Sequence, residues 1–260
     1  MARRFFTAAD GTRISYLDSG APGVPIVIVH GLAGSATEFV PTAEALAHRR
    51  VVLIDQRGHG RSTTRPHDVS RESFVSDLVG LIEQIAPRVS LVGQSMGGHT
   101  AMLTAAARPD LVDQLVLLEA DASGTDPDEP STIRHFFESW PPLFRTRHAL
   151  VEFLGDTPLH RAWAADLAEV HGGFAPRFEA GVMDEIMKTL VPERWAEWEQ
   201  IETQTMVIFA DRGMFRPSQK EEFVRRARNA QRIDLPGASH DAHLDAFGRW
   251  IEALRGFLRD

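Results

Sequence analysis

The sequence predicts an α/β fold: a mostly parallel, twisted sheet with helices on both faces and a helical insertion. Three observations predict it. Short apolar runs rich in Val, Ile and Leu alternate with helical patterns, as strands buried on both faces of a parallel sheet require. One run, residues 89–92, leads straight into Gly93-Gln94-Ser95-Met96-Gly97 and an Ala-rich stretch, giving strand, sharp turn and helix in succession. The alternation then stops between Leu118 and Thr205, where Trp, Phe, Pro and His concentrate.

Taken in order, residues 5–8 and 13–17 flank Asp10-Gly11, a two-residue turn signal, and are expected to pair as a hairpin. After the break Gly20-Ala21-Pro22-Gly23, apolar runs at 25–29, 51–54, 89–92 and 114–118 read as strands. A fifth run at 205–209 and a weaker sixth at 231–235 resume the sheet. A last helix is expected over 242–258, with Leu244, Phe247, Ile251, Leu254 and Leu258 on one stripe. The intervening segment opens on the turn-forming residues 121–127 and reads as short helices at 146–154, 159–171 and 178–190. The expected organisation is a core of 1–122 and 201–260 with a helical cap insertion of 123–200. No internal repeat is visible.

At 260 residues and 43% hydrophobic, the chain can bury one large core. Its formal charge of −8 comes without a basic cluster beyond Arg49-Arg50 and Arg225-Arg226, which argues against a nucleic-acid partner. Cysteine is absent, excluding disulfides, a thiolate nucleophile and Cys-ligated metal. The first seven residues lack the apolar stretch of a signal peptide, and no segment approaches a membrane span. The expectation is a soluble cytoplasmic protein with no membrane partner.

The chemistry centres on Ser95. A sharp strand-to-helix turn lifts its hydroxyl to the tip, and Gly93 and Gly97 keep the close passage free of side chains. Met96 then offers a backbone N–H at a helix N-terminus. The run 25–29 ends in His30-Gly31-Leu32-Ala33-Gly34, a small-residue turn at the carboxyl edge of a parallel sheet, where ligands bind. Leu32 N–H is the expected second donor for an oxyanion, each such donor contributing about 3 kcal/mol to a transition state. His240 follows the sixth run on Pro236-Gly237-Ala238-Ser239 and can reach over the sheet edge as a base. His243 is the rival, but sits in the first helical turn.

With Asp55-Gln56-Arg57-Gly58-His59-Gly60-Arg61-Ser62 after the second parallel strand, these motifs resemble the α/β-hydrolase fold superfamily, in its chain order, over residues 5–122 and 204–258. The resemblance implies a serine hydrolase with a helical cap and a Ser-His-acid triad. The usual acid position in such proteins resembles Gly-x-x-Asp-x-x-x-Pro. Here Ala210 and Pro217 are in register, and the acid position falls on Gly213. Two candidates remain, with Asp121 a weaker third. Glu119 ends the preceding strand, where some relatives place the acid, and is preferred. Asp211 lies two residues before Gly213. Asp55 and His59 are expected to hold the turn that contains them rather than take part in chemistry.

The insertion is expected to supply an apolar wall, with Trp140, Phe144, Trp163 and Met183 as substrate-binding candidates. Trp195 and Trp198, at i and i+3, are expected to put one helix face on the sheet. The predicted activity is cleavage of an ester or lactone of a small, partly apolar molecule. Ser95 acts as nucleophile, His240 as base, Glu119 as orienting acid, and Leu32 and Met96 as oxyanion donors. Carbon–carbon hydrolysis of a diketone-like substrate, amide hydrolysis and thioester release share that machinery and stay open, as does a ligand-binding member of the fold. A serine nucleophile argues against dehalogenase and epoxide hydrolase chemistry. No metal or organic cofactor is expected. The expected partner is a small-molecule substrate, and a homodimer stays open.

Overall fold

A computed structural model describes residues 1–258. Strands run as β1 (Ala2–Thr7), β2 (Arg13–Asp18), β3 (Ile26–Val29), β4 (Val51–Asp55), β5 (Val89–Gln94), β6 (Val112–Leu118), β7 (Ala168–Val170), β8 (Gly173–Ala175), β9 (Gln204–Arg212) and β10 (Ala230–Ser239). Eight of them form one sheet in the order β1-β2-β4-β3-β5-β6-β9-β10, while β7 and β8 pair by themselves. In the large sheet the β1–β2 and β2–β4 pairs are antiparallel and the other five pairs are parallel. The carboxyl ends of β3, β5, β6, β9 and β10 therefore share one edge.

The α-helices are α1 (Val40–Ala45), α2 (Arg71–Ile85), α3 (Met96–Ala107), α4 (Glu129–Glu138), α5 (Arg147–Leu154), α6 (Pro158–Asp166), α7 (Ala180–Lys188), α8 (Trp195–Glu199), α9 (Pro217–Arg226), α10 (Ala242–Asp245) and α11 (Phe247–Phe257). Alternate strand residues bury opposite faces. Val27, Val29, Leu115 and Leu117 pack with α2, α3, α8 and α9 through Leu78, Met102, Trp198 and Phe223. Ile26, Ile28, Val116 and Leu118 pack with α1 and α11 through Ala43, Trp250 and Leu254. The period of two that separates these sets is why the central strands read as unbroken apolar runs.

Several elements differ from the sequence reading. The β1–β2 loop has three residues beyond the Ala8–Thr12 backbone pair, with Gly11 left-handed at φ 85°, because Asp10 Oδ1 accepts the Thr12 amide and closes a wider turn. β10 runs on past Leu235 to Ser239 through an irregular register. The last helix is broken at Ala246, and Asp245 accepts the Ser239 amide at 3.0 Å, tying α10 to the strand end that precedes His240. The helix expected over 159–171 stops at Asp166, and β7–β8 follow. The α4 helix was not foreseen.

The turn after β4 is held from inside. Asp55 accepts Ala36 N at 2.8 Å, Arg61 N at 3.2 Å and Arg3 Nη1 at 2.6 Å. Arg57 meets Asp77 through two bonds of 2.7 Å, and both side chains are buried. His59 is fully buried, bonded to the Arg57 carbonyl at 2.9 Å and set edge-on to His30. Burial, and next the neighbouring His30, pushes its pKa down to about 3.

An unfolded histidine titrates near 6.5, so between about pH 6.5 and 3 the unfolded chain holds a proton that folded His59 does not. Its contribution is complete above pH 6.5 and is lost as the pH falls toward 3. By pH 5 the loss is about 2 kcal/mol. Urea unfolding at pH 7 and pH 5 is expected to show a smaller acid-side drop in His59→Asn than in the wild type. Equal drops would show that His59 does not set the acid-side loss.

Candidate active site

Ser95 joins β5 to α3 at φ 54° and ψ −125°, a left-handed backbone that a non-glycine residue adopts only under constraint. Its amide donates to Leu118 O at 2.9 Å, and its carbonyl accepts the His99 amide at 3.0 Å, so both flanks of the turn are tied. A Cβ at Gly93 would collide with the Gly97 carbonyl, and one at Gly97 with the carbonyls of Val29 and His30. The two glycines are therefore needed by the backbone crossing itself.

The β3 turn lies against this tip. A Cβ at Gly31 would stand 3.3 Å from Ser95 Cβ. His30 is buried and fixes the turn: Nδ1–H donates to Gly31 O at 2.7 Å, and Nε2 accepts the Gln56 amide at 3.1 Å. Gln56 Nε2 in turn donates to His30 O at 2.7 Å. Leu32, Ser95 and Met96 line one cavity, and neither the Leu32 nor the Met96 N–H has an acceptor among the described residues. Two free amides beside a hydroxyl suit an oxyanion.

Glu119 follows β6 at φ 49° and is 1% exposed. Its Oε1 accepts Ala210 N at 2.8 Å, and its Oε2 accepts Met214 N at 2.8 Å and His240 Nδ1 at 3.2 Å. A Cβ at Gly213 would collide with both carboxylate oxygens, so the side chain from β6 fills the room that a residue at 213 would use. Asp211 points elsewhere, accepting the Gly237 amide at 3.0 Å in an exposed position. Asp121 turns back onto Ser123. His243 is buried, stacked on Phe39 and bonded to Glu38 Oε1 at 2.5 Å. His240 keeps a quarter of its side chain exposed and lines a cavity with Ser95.

Two cavities meet at Ser95. One, of about 220 Å³, includes His240 and the aromatic wall of Phe136, Phe137 and Trp163. The other, of about 230 Å³, includes Met96, His99, Asp121 and Thr125. Of the four insertion residues expected to touch substrate, only Trp163 faces a cavity that Ser95 lines. Trp140, Phe144 and Met183 are corrected to core residues. Trp140 is ringed edge-on by Phe136, Phe137, Phe144 and Phe178, and Met183 is wholly buried against the β4 turn. Trp198 belongs to the main core, stacked on Phe223 with its indole N–H on the Phe223 carbonyl. The wall from α4 was missed, although Ile133, Phe136 and Phe137 at helical spacing are its signal. His99 was also missed, hidden in an Ala-rich helix. No group of three or more metal-ligating side chains occurs among the described residues. Nor is any helix among them long and apolar enough to cross a membrane.

The fold and this edge define an α/β hydrolase. The chain belongs to the Alpha/beta hydrolase family, whose pattern matches residues 26–253. It is 34% identical to the sn-1-specific diacylglycerol lipase ABHD11 of Mus musculus over 264 aligned positions, spanning 93% of this chain and 83% of that one. Among solved structures, E-2-(acetamidomethylene)succinate hydrolase superposes with a TM-score of 0.88 at 19% identity, over 98% of this chain and 99% of that one. The enol-lactonase from Burkholderia xenovorans LB400 gives 0.81 at 22% identity, over 99% and 100%. At these identities the structural likeness is one of fold.

Glu119→Gln keeps the shape and removes the charge beside His240. On any substrate of this site it is expected to lower kcat by about 10²–10⁴-fold. Gly213→Ala, which leaves Glu119 unaltered but displaces its carboxylate, is expected to lower kcat in the same direction. Asp211→Asn is expected to stay within about threefold of wild type, as for an exposed group outside the site. A large loss in Asp211→Asn with a small one in Glu119→Gln would reverse the assignment.

Proposed function

We propose that this protein is a serine hydrolase that cleaves an ester or lactone of a small, partly apolar molecule through an acyl-enzyme. The observation that carries the reading is Ser95 held at the strained tip of the elbow, beside the acceptor-free amides of Leu32 and Met96. His240 Nε2 takes the Ser95 hydroxyl proton as Oγ attacks the carbonyl carbon. The carbonyl oxygen, now negative, is held by the Leu32 and Met96 amides. Collapse expels the alcohol, which takes the proton from His240 and leaves the acyl group on Ser95. A water then gives its proton to His240, attacks the acyl carbon and releases the acid, and Ser95 regains its proton. Glu119 on Nδ1 keeps the imidazole in the tautomer that leaves Nε2 free to accept, and stabilises the imidazolium.

The insertion up to α8, which itself packs in the main core, acts as a cap over the sheet edge, with the aromatic wall of α4 and Trp163 excluding water from the reacting carbonyl. The ester class is supported by the name of one relative, a diacylglycerol lipase, and the serine at the nucleophile position suits an acyl-enzyme.

A fluorophosphonate probe is expected to label the protein once, at Ser95 by peptide mass. Ser95→Ala is expected to abolish labelling and to lower ester turnover by at least about 10³-fold with its unfolding midpoint retained. Labelling elsewhere, or more than a few per cent of the activity remaining in Ser95→Ala, would overturn the proposal.

A further inference from the structure

The α3 helix carries a second polar group into the site. His99 lies four residues beyond Ser95, about 6 Å along the helix axis at the usual rise. It lines the cavity of about 230 Å³ that also holds Ser95, Leu32 and Met96. The residue is 7% exposed, yet neither ring nitrogen has a hydrogen-bond partner among the described residues. Thr125 Oγ1, lining the same cavity, is likewise buried and unpartnered. Leaving such groups unpaired is costly, so native structures seldom do so without a ligand or solvent to meet them.

We infer that this cavity is a subsite for a neutral hydroxyl group on the acyl part of the substrate, read by His99 with Thr125 beside it. The inference rests on the serine hydrolase reading. The chemistry and the side of the bond follow from the groups that face the cavity. A neutral imidazole offers one donor and one acceptor, and a hydroxyl answers both, whereas a ketone only accepts. Burial, and then the guanidiniums of Arg71 and Arg194, push the His99 pKa well below the usual range, and that positive field opposes a cation at the ring. Asp121, Asp126 and Glu129 line the same cavity and oppose an anion. A neutral group is what remains. His240, which protonates the departing alcohol, lines the aromatic cavity instead of this one. The leaving group therefore exits past Phe136 and Trp163, and the acyl part occupies the His99 side.

The test compares ethyl hexanoate with ethyl 3-hydroxyhexanoate and ethyl 6-hydroxyhexanoate, followed by pH-stat with wild type, His99→Leu and His99→Gln. Wild type is expected to favour at least one hydroxy ester over ethyl hexanoate by about tenfold in kcat/KM. The charged analogues, monoethyl adipate and ethyl 6-aminohexanoate, should fall below that hydroxy ester. His99→Leu should erase the preference by lowering kcat/KM on the hydroxy ester more than on ethyl hexanoate, and His99→Gln, which keeps a donor and an acceptor, should restore part of it. No preference in wild type, or an equal loss on every ester in His99→Leu, would overturn the inference. Calorimetric binding of the same esters to Ser95→Ala separates it from the reading it rests on. If wild type cleaves none of them but Ser95→Ala binds a hydroxy ester about tenfold tighter than ethyl hexanoate, the hydrolase reading fails and the subsite stands. Equal binding would remove the subsite, whatever the turnover.

Discussion

A buried carboxylate must be surrounded by donors, and the Glu119 carboxylate meets that demand by reaching across from β6 into the backbone of its neighbour. Ala210 and Met214 each give it an amide hydrogen bond, and His240 meets it from the end of β10. The room exists because residue 213 has no side chain. Three strand ends are thereby locked to one group. The loop after β9 must curl around it, and the loop after β10 must present its imidazole toward it. The same side chain thus organises the local fold and, in the mechanism proposed above, holds His240 in the tautomer that leaves Nε2 free. Its left-handed backbone, at φ 49°, is strain that this surrounding network sustains.

The rest of the edge follows from a parallel sheet whose strands deliver their carboxyl ends to one side. Ser95, Glu119 and His240 are far apart in sequence and come to one edge because β5, β6 and β10 end on the same side, where Glu119 meets His240 and each shares a cavity with Ser95. Close passage of backbone against backbone does the finer positioning. Gly31 passes the Ser95 Cβ, and Gly93 and Gly97 let the elbow cross over β3. Side chains would force these segments apart and carry the Leu32 amide away from Met96. His30, bonded on both ring nitrogens, makes that turn rigid before any substrate arrives.

Much of this was legible because it depends on local chemistry. The strands announce themselves as apolar runs, the elbow as Gly-x-Ser-x-Gly between strand and helix, and the register of Ala210 and Pro217 marks 213 as a position without an acid. What was not legible depends on packing at a distance. Trp140, Phe144 and Met183 are as apolar as Trp163, and only the packing of α4, α6 and α7 against one another decides which faces Ser95. The β10 extension crosses Pro236 and Gly237, poor strand residues that the edge of a sheet tolerates. His99 reads as one polar residue in an Ala-rich helix. Its ring nitrogens have no hydrogen-bond partner among the described residues, which no local pattern reveals.

The single carboxylate site beside His240 is filled from β6 because it is empty from β9. Moving the acid tests it most directly. Gly213→Asp alone sets two carboxylates in one space and is expected to be nearly inactive, as is Glu119→Gly alone. The double variant Glu119→Gly/Gly213→Asp is expected to recover at least about tenfold in kcat/KM over either single change, since each substitution makes room or supplies charge for the other. A double variant no more active than the poorer single would show that the two positions do not share one carboxylate site.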